Sequence, residues 1–114
     1  HAVWFGEKAG VAQVRYGRLG QEGKPVGSVL ELPDEQAEHA DVLSADKRVV
    51  IVWRSFDGTG TNLKAWISED DGDHFTLKQL ARTRADNDQP HLLRKGAQLF
   101  VLWNITGKLH VEAL

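Results

Sequence analysis

The chain has 114 residues, enough for one small domain or a piece of a larger one. Its 14 Lys and Arg against 16 Asp and Glu leave a formal charge of −2, without the basic footprint of a nucleic-acid binder. The absence of cysteine removes a disulfide framework, a thiolate nucleophile, thiolate-bound zinc and iron–sulfur clusters, and no apolar run approaches the ~18 residues that span a bilayer.

In chain order, the apolar runs are short and separated by turn formers, the pattern of strands. Residues 2–5, 11–16 and 26–32 make the first three. Helical spacing is confined to a weak stretch over 33–45. Within it, 39–43 reads as a strand leading through the polar turn Ser44-Ala45-Asp46-Lys47 into a strand over 48–54. That strand is apolar on both faces, with Val49, Ile51 and Trp53 on one and Val50 and Val52 on the other. Such a strand has to lie between neighbouring sheets. A glycine-rich loop over 56–61, with Gly58-Thr59-Gly60 as a flexible tip, leads to strands over 62–68 and 75–80. Residues 82–89, which include Arg82, Arg84, Asp86 and Asp88, read as a solvated connection. Strands over 90–94, 98–103 and 108–114 complete the chain.

Three of these strands share one pattern: Ala2-Val3-Trp4-Phe5, Val50-Ile51-Val52-Trp53-Arg54 and Phe100-Val101-Leu102-Trp103-Asn104. A period of about 50 residues with this composition predicts an all-β repeat of four-stranded antiparallel units, the blades of a β-propeller. The three tryptophans are then expected at equivalent places in successive sheets. Residues 36–85 form a complete unit, 1–35 an incomplete one without its first strand, and 86–114 an incomplete one without its fourth. Two and a half blades are too few to close a ring that takes about four to eight. The expectation is therefore the C-terminal part of a longer chain, completed by the parent's remaining blades or by an oligomer partner.

Between the last two strands of the complete unit stands Ser68-Glu69-Asp70-Asp71-Gly72-Asp73-His74-Phe75. It resembles the Asp box, the S-x-D-x-G-x-x-[WF] hairpin of the BNR-repeat, sialidase-like propellers, matching at Ser68, Asp70, Gly72 and Phe75. Short polar side chains accept from turn amides, and glycine tolerates positive φ. Asp70 is expected to take the hairpin's amides, while Asp73 occupies a free position of the motif. An EF-hand register is excluded, because Gly72 at its sixth position puts Ile67 at the first ligand site.

The resemblance implies a secreted or periplasmic, carbohydrate-related protein, in a family whose enzymes use an arginine cluster, a Tyr–Glu nucleophile pair and an Asp acid/base. Tyr16, the chain's single tyrosine, follows Arg15 with Glu22 nearby. It falls close to the Asp-box end of its unit, so Arg15 and Tyr16 read as strand-surface residues and no catalytic residue is assigned. The first strands of each unit would line the central channel, which makes His39, Asp41 and His91 the candidate ligand residues. His39 and His91 stand 14 and 12 residues ahead of Trp53 and Trp103. Imidazole and carboxylate there suit a polar ligand, or else hydrogen bonds that fix one unit against the next. No spacing calls for a metal or cofactor. Asn104-Ile105-Thr106 has the form of a glycosylation sequon and is explained by asparagine's preference for turns.

The function expected is a non-catalytic propeller segment that binds a glycan, such as a sialoside, or a protein partner at its mouth. A fragment of an active exo-sialidase is the second reading, and a structural, protein-interaction propeller the third.

Overall fold

A computed structural model describes residues 1–34 and 36–114. Ten strands and no helix occur among them: β1 (Ala2–Lys8), β2 (Val11–Leu19), β3 (Pro25–Glu31), β4 (Ala37–Ala45), β5 (Arg48–Phe56), β6 (Thr61–Ser68), β7 (Thr76–Thr83), β8 (His91–Lys95), β9 (Gln98–Ile105) and β10 (Lys108–Ala113). They pair antiparallel into sheets of three, four and three strands, ordered β1-β2-β3, β4-β5-β6-β7 and β8-β9-β10. Every expected strand is present, most of them running a few residues longer than the apolar run that announced them. The weakly helical stretch over 33–45 contributes β4 instead; its Glu35 lies outside the described residues. Ala37, Ala40 and Val42 pack on one core, and Leu43 and Ala45 on the other. A strand between two cores suits this composition better than a one-sided helix.

Tight turns set the registers. Ala9-Gly10 joins β1 to β2 and Thr106-Gly107 joins β9 to β10, each with both residues left-handed (φ 53° and 80°, 49° and 78°). That twist matches antiparallel strands. The turn between β4 and β5 is shorter than the polar tetrapeptide anticipated, because Ala45 already pairs with Arg48. Asp46 therefore takes φ 55°, as Gly96 takes 61° in the corresponding β8–β9 turn.

The three sheets form an open stack with an apolar core on each face of the middle one. Val49, Ile51 and Trp53 pack with Val14 and Tyr16 of the first sheet. Val50, Val52, Leu63 and Ala65 pack with Leu99, Val101 and Trp103 of the third. All five residues from Val49 to Trp53 are inaccessible to solvent. Trp4, Trp53 and Trp103 lie on β1, β5 and β9, opposite Arg15, Lys64 and His110. Trp4 lies half-buried against Gly17.

Each buried indole is satisfied by the segment that enters its own sheet. Trp53 Nε1 donates to Asp34 Oδ2 at 3.3 Å, and Trp103 Nε1 to the Asp88 carbonyl at 2.8 Å. Lys64 Nζ also reaches Asp34, at 2.8 Å. Burial alone would raise the Asp34 carboxyl, but hydrogen bonds from Lys64, Ser55 and Trp53 outweigh it and hold the group below the usual carboxylate range. In the 82–89 connection Arg82, Arg84, Asp86 and Asp88 are exposed, as expected, while its backbone is tied down. Asp88 N donates to Asn104 O at 3.0 Å and Thr106 N to Asp86 O at 2.8 Å.

Trp53→Phe keeps most of the buried ring area while deleting the N–H that Asp34 accepts. The expected loss of stability is about 1–2 kcal/mol, measured by urea unfolding. A change under ~0.5 kcal/mol, the range of neutral substitutions, would show that the indole bond contributes little.

Candidate functional site

The two ends of the stack carry different chemistry. At one end, β6 and β7 are joined by the 68–75 hairpin. Ser68, fully buried, accepts from the amides of Asp70 at 3.2 Å and Gly72 at 2.9 Å, and donates its hydroxyl to Asp70 Oδ1 at 2.8 Å. Asp70 in turn accepts from the His74 amide at 2.8 Å and sits 2.6 Å from His74 Nδ1. The expectation that Asp70 collects the hairpin's amides is therefore corrected. Serine takes two and aspartate one, because Ser68 lies inside the turn and Asp70 on its rim. Gly72 at φ 92° supplies the left-handed step, and a Cβ there would meet Tyr16 Oη at 2.0 Å. Phe75 stacks on Trp66, with centroids 4.8 Å apart, and meets Tyr16 edge-on at 5.0 Å.

This hairpin docks onto the first sheet. Arg18 Nε donates to the Asp71 carbonyl at 3.0 Å and its guanidinium pairs with Asp73 at 2.6 Å, so Asp73 is engaged and not free. His1 bridges Tyr16 Oη, at 2.7 Å from Nδ1, to Asp71 Oδ1, at 2.9 Å from Nε2. Tyr16 is 2% exposed, which corrects its expected place on the strand surface. Burial pushes its phenol up, against the opposing influence of Arg18. A phenol harder to ionise than usual is a poor nucleophile.

At the opposite end lies a two-lobed depression over the start of β4. Its polar lobe, about 410 Å³, is lined by His39, Arg54, Asn87, Asp88, Gln89 and His91. The other lobe, about 290 Å³, shares His39 and Gln89 and adds Val3, Trp4 and Phe5. His39 adopts φ 50° where the β4–β5 register shifts between Glu38 and Asp41. A β-bulge re-aims a side chain, and a non-glycine residue in the left-handed region is uncommon. Phe5, 65% exposed, offers an aromatic face beside it. The terminal nitrogens of Arg54 donate to Asn87 O at 2.8 Å, Asn87 Oδ1 at 3.0 Å and Glu38 Oε1 at 2.8 Å, while its buried Nε has no hydrogen-bond partner among the described residues.

The structure thus brings His39 and His91 to one lobe, with Gln89 Nε2 3.5 Å from His91 Nε2. Asp41 does not join them. Its carboxylate accepts from its neighbour Val42 N at 3.0 Å and, across the gap between sheets, from Leu92 N at 2.8 Å. Of the three candidates, Asp41 is the one that fixes one sheet against the next. His39 and His91 are also not register equivalents. His91 pairs with Leu102 as Asp41 pairs with Val52, and the bulge places His39 two residues earlier. The unequal spacings of 14 and 12 residues carried that information. No cluster of three potential metal ligands occurs among the described residues.

Sequence reading missed Asp57. Its Oδ1 accepts from the amides of Thr59 at 3.0 Å and Gly60 at 2.9 Å, and its Oδ2 from Asn62 at 3.0 Å and Arg82 Nε at 2.9 Å. Arg82 above all, then the turn amides and Asn62, holds the carboxyl far below the usual range. The loop at 57–60 is therefore a braced rim of the cleft end, not a flexible tip. The Asp-Gly-x-Gly sequence was the available signal, through the turn an aspartate makes with amides two and three residues on. No protein-family model matches the chain, and no match is found among the curated proteins or the solved structures.

Two expectations test the hairpin. Ser68→Ala strands buried turn donors and should cost about 1–3 kcal/mol, whereas Asp73→Ala removes one exposed ion pair and should cost under ~1 kcal/mol; equal costs in chemical denaturation would refute this division. His74 is raised by its bond to Asp70, and Asp70 is lowered chiefly by His74. The pair therefore contributes fully between their unperturbed values, about 3.9 and 6.5. Its contribution fades as pH rises through the raised His74 value or falls through the lowered Asp70 value. His74 should titrate above ~6.5 by NMR and return toward that value in Asp70→Asn; an ordinary midpoint in the parent chain would sink the coupling.

Proposed function

We propose that the three sheets are blades of a sialidase-like, Asp-box β-propeller, and that the cleft over β4 binds a glycan without turning it over. The observation that carries this reading is His39, held left-handed at a bulge and shared by a polar and an aromatic lobe. Saccharides combine hydroxyl edges with apolar C–H faces. His39, Gln89 and His91 can exchange hydrogen bonds with the first, and Phe5 can stack on the second. The serine-centred turn at 68–75, the matching tryptophans and the face-to-face stacking support the propeller. In this reading the protein is carbohydrate-related and secreted or periplasmic, as its resemblance implies.

The glycosidase reading is weaker on one observation. The chain's only tyrosine is buried, hydrogen-bonded to His1 and raised in pKa, at the end of the stack away from the cleft. Binding is tested by applying labelled chain to a glycan array and titrating the best-retained oligosaccharide by calorimetry. His39→Ala and Phe5→Ala should each weaken binding about tenfold or more, equivalent to ~1.4 kcal/mol. Asp73→Ala, at the far end, should leave it unchanged. No retained glycan, or affinity indifferent to both cleft substitutions, would overturn the assignment.

A further inference from the structure

The polar lobe of the cleft lies between the start of β4 and the 87–91 segment, on two packed sheets that the Asp41 carboxylate and Leu92 N join at 2.8 Å. Among the residues lining it, Arg54 alone carries a fixed positive charge. A guanidinium grips a carboxylate through two nitrogens at once. Every such pair on Arg54 is closed to a ligand, because Nη1 is taken by Asn87 O and Oδ1 and Nε is buried. The remaining nitrogen, Nη2, pairs with Glu38 Oε1 at 2.8 Å, which also neutralises the charge. By contrast, the carboxylates of Asp88, in the lobe, and of Asp86, beside it, make no hydrogen bond or ion pair among the described residues. The lobe therefore offers two imidazoles, the Gln89 amide and an accepting carboxylate, with no cation to spare.

We infer that the sugar unit seated in this lobe is an uncharged hexose, and that the lobe turns away uronic and sialic acids. Hydroxyls of a neutral sugar can donate to Asp88 and exchange hydrogen bonds with His39, Gln89 and His91. A ligand carboxylate can only accept. It finds no open edge of Arg54 and meets Asp88 as a like charge, a juxtaposition that suppresses binding. The inference rests on the glycan reading of the cleft and narrows it to one chemical class.

Matched oligosaccharides whose terminal units differ only in a hydroxymethyl or a carboxylate group test it by calorimetry: glucose against glucuronate, galactose against galacturonate and mannose against mannuronate. The titrations are run at low salt, where screening is weak, and at about pH 8, beyond the range in which an ordinary imidazole changes charge. The neutral member of a bound pair should bind about tenfold tighter or more. Glu38→Gln leaves Nη2 an amide oxygen to bond but restores a net positive charge to Arg54, and Asp88→Asn removes the like charge. In each variant the ratio of neutral to acidic affinity should fall several-fold. Equal or tighter binding of the acidic member by the parent chain, or a preference that neither substitution alters, would overturn the inference. Binding of no member of any pair overturns it as well, and the glycan reading falls with it only if a wider glycan array also retains nothing.

Discussion

Five successive residues of β5, Val49 to Trp53, are shut off from water on both sides, and a strand in that position can exist only between two other layers. The rest of the architecture follows from this constraint. The first sheet supplies Val14 and Tyr16 to one face, and the third supplies Leu99, Val101 and Trp103 to the other. Once the sheets lie face to face, polar groups caught between them need partners. Trp53, Trp103 and Asp41 find theirs in the connecting segments or the adjacent strand. The ion pair of Lys64 with Asp34 is part of the same solution, since a half-buried ammonium beside an indole requires a carboxylate.

The strands were legible because their period-2 and two-faced patterns are local, and the repeat because tryptophan is rare enough to mark a register. What escaped the sequence was non-local. Tyr16 looks like a strand-surface residue until the 68–75 hairpin closes over it, 50 and more residues away. Arg82 reads as part of a solvated run, yet its partner Asp57 lies in the β5–β6 loop, which only the β6–β7 register brings near. Asp41 and His91 hold the same register position with opposite consequences. The aspartate reaches Leu92 of the adjacent sheet, whereas the histidine faces outward into the cleft lobe.

The candidate site was half visible. His39 and His91 were singled out for their place on first strands, and they do share a lobe. The bulge that turns His39 outward is a backbone event without a glycine or proline to announce it, and only the mismatch of two residues between repeats records it. Phe5 escaped notice for a simpler reason: in sequence it continues the apolar run of β1, and its exposure depends on which sheet lies beside it. Motif chemistry at the other end was clearer, since a Ser-x-Asp-x-Gly turn satisfies itself within five residues. Even there the roles of serine and aspartate were exchanged, because depth in the turn, not charge, decides which oxygen collects the amides.

The bond from Trp53 to Asp34 has a bearing on where one repeat stops and the next starts. Strand boundaries put the division between residues 35 and 36, yet Asp34 serves Trp53 and Lys64 of the following sheet and belongs energetically with them. Asp88, the acceptor for Trp103, already lies downstream of the corresponding division between 85 and 86. The stretch around Trp53 that could be transplanted intact therefore starts upstream of the strands it encloses. A junction between 35 and 36 would separate Trp53 from its acceptor, whereas one just before Pro33 would carry the acceptor along.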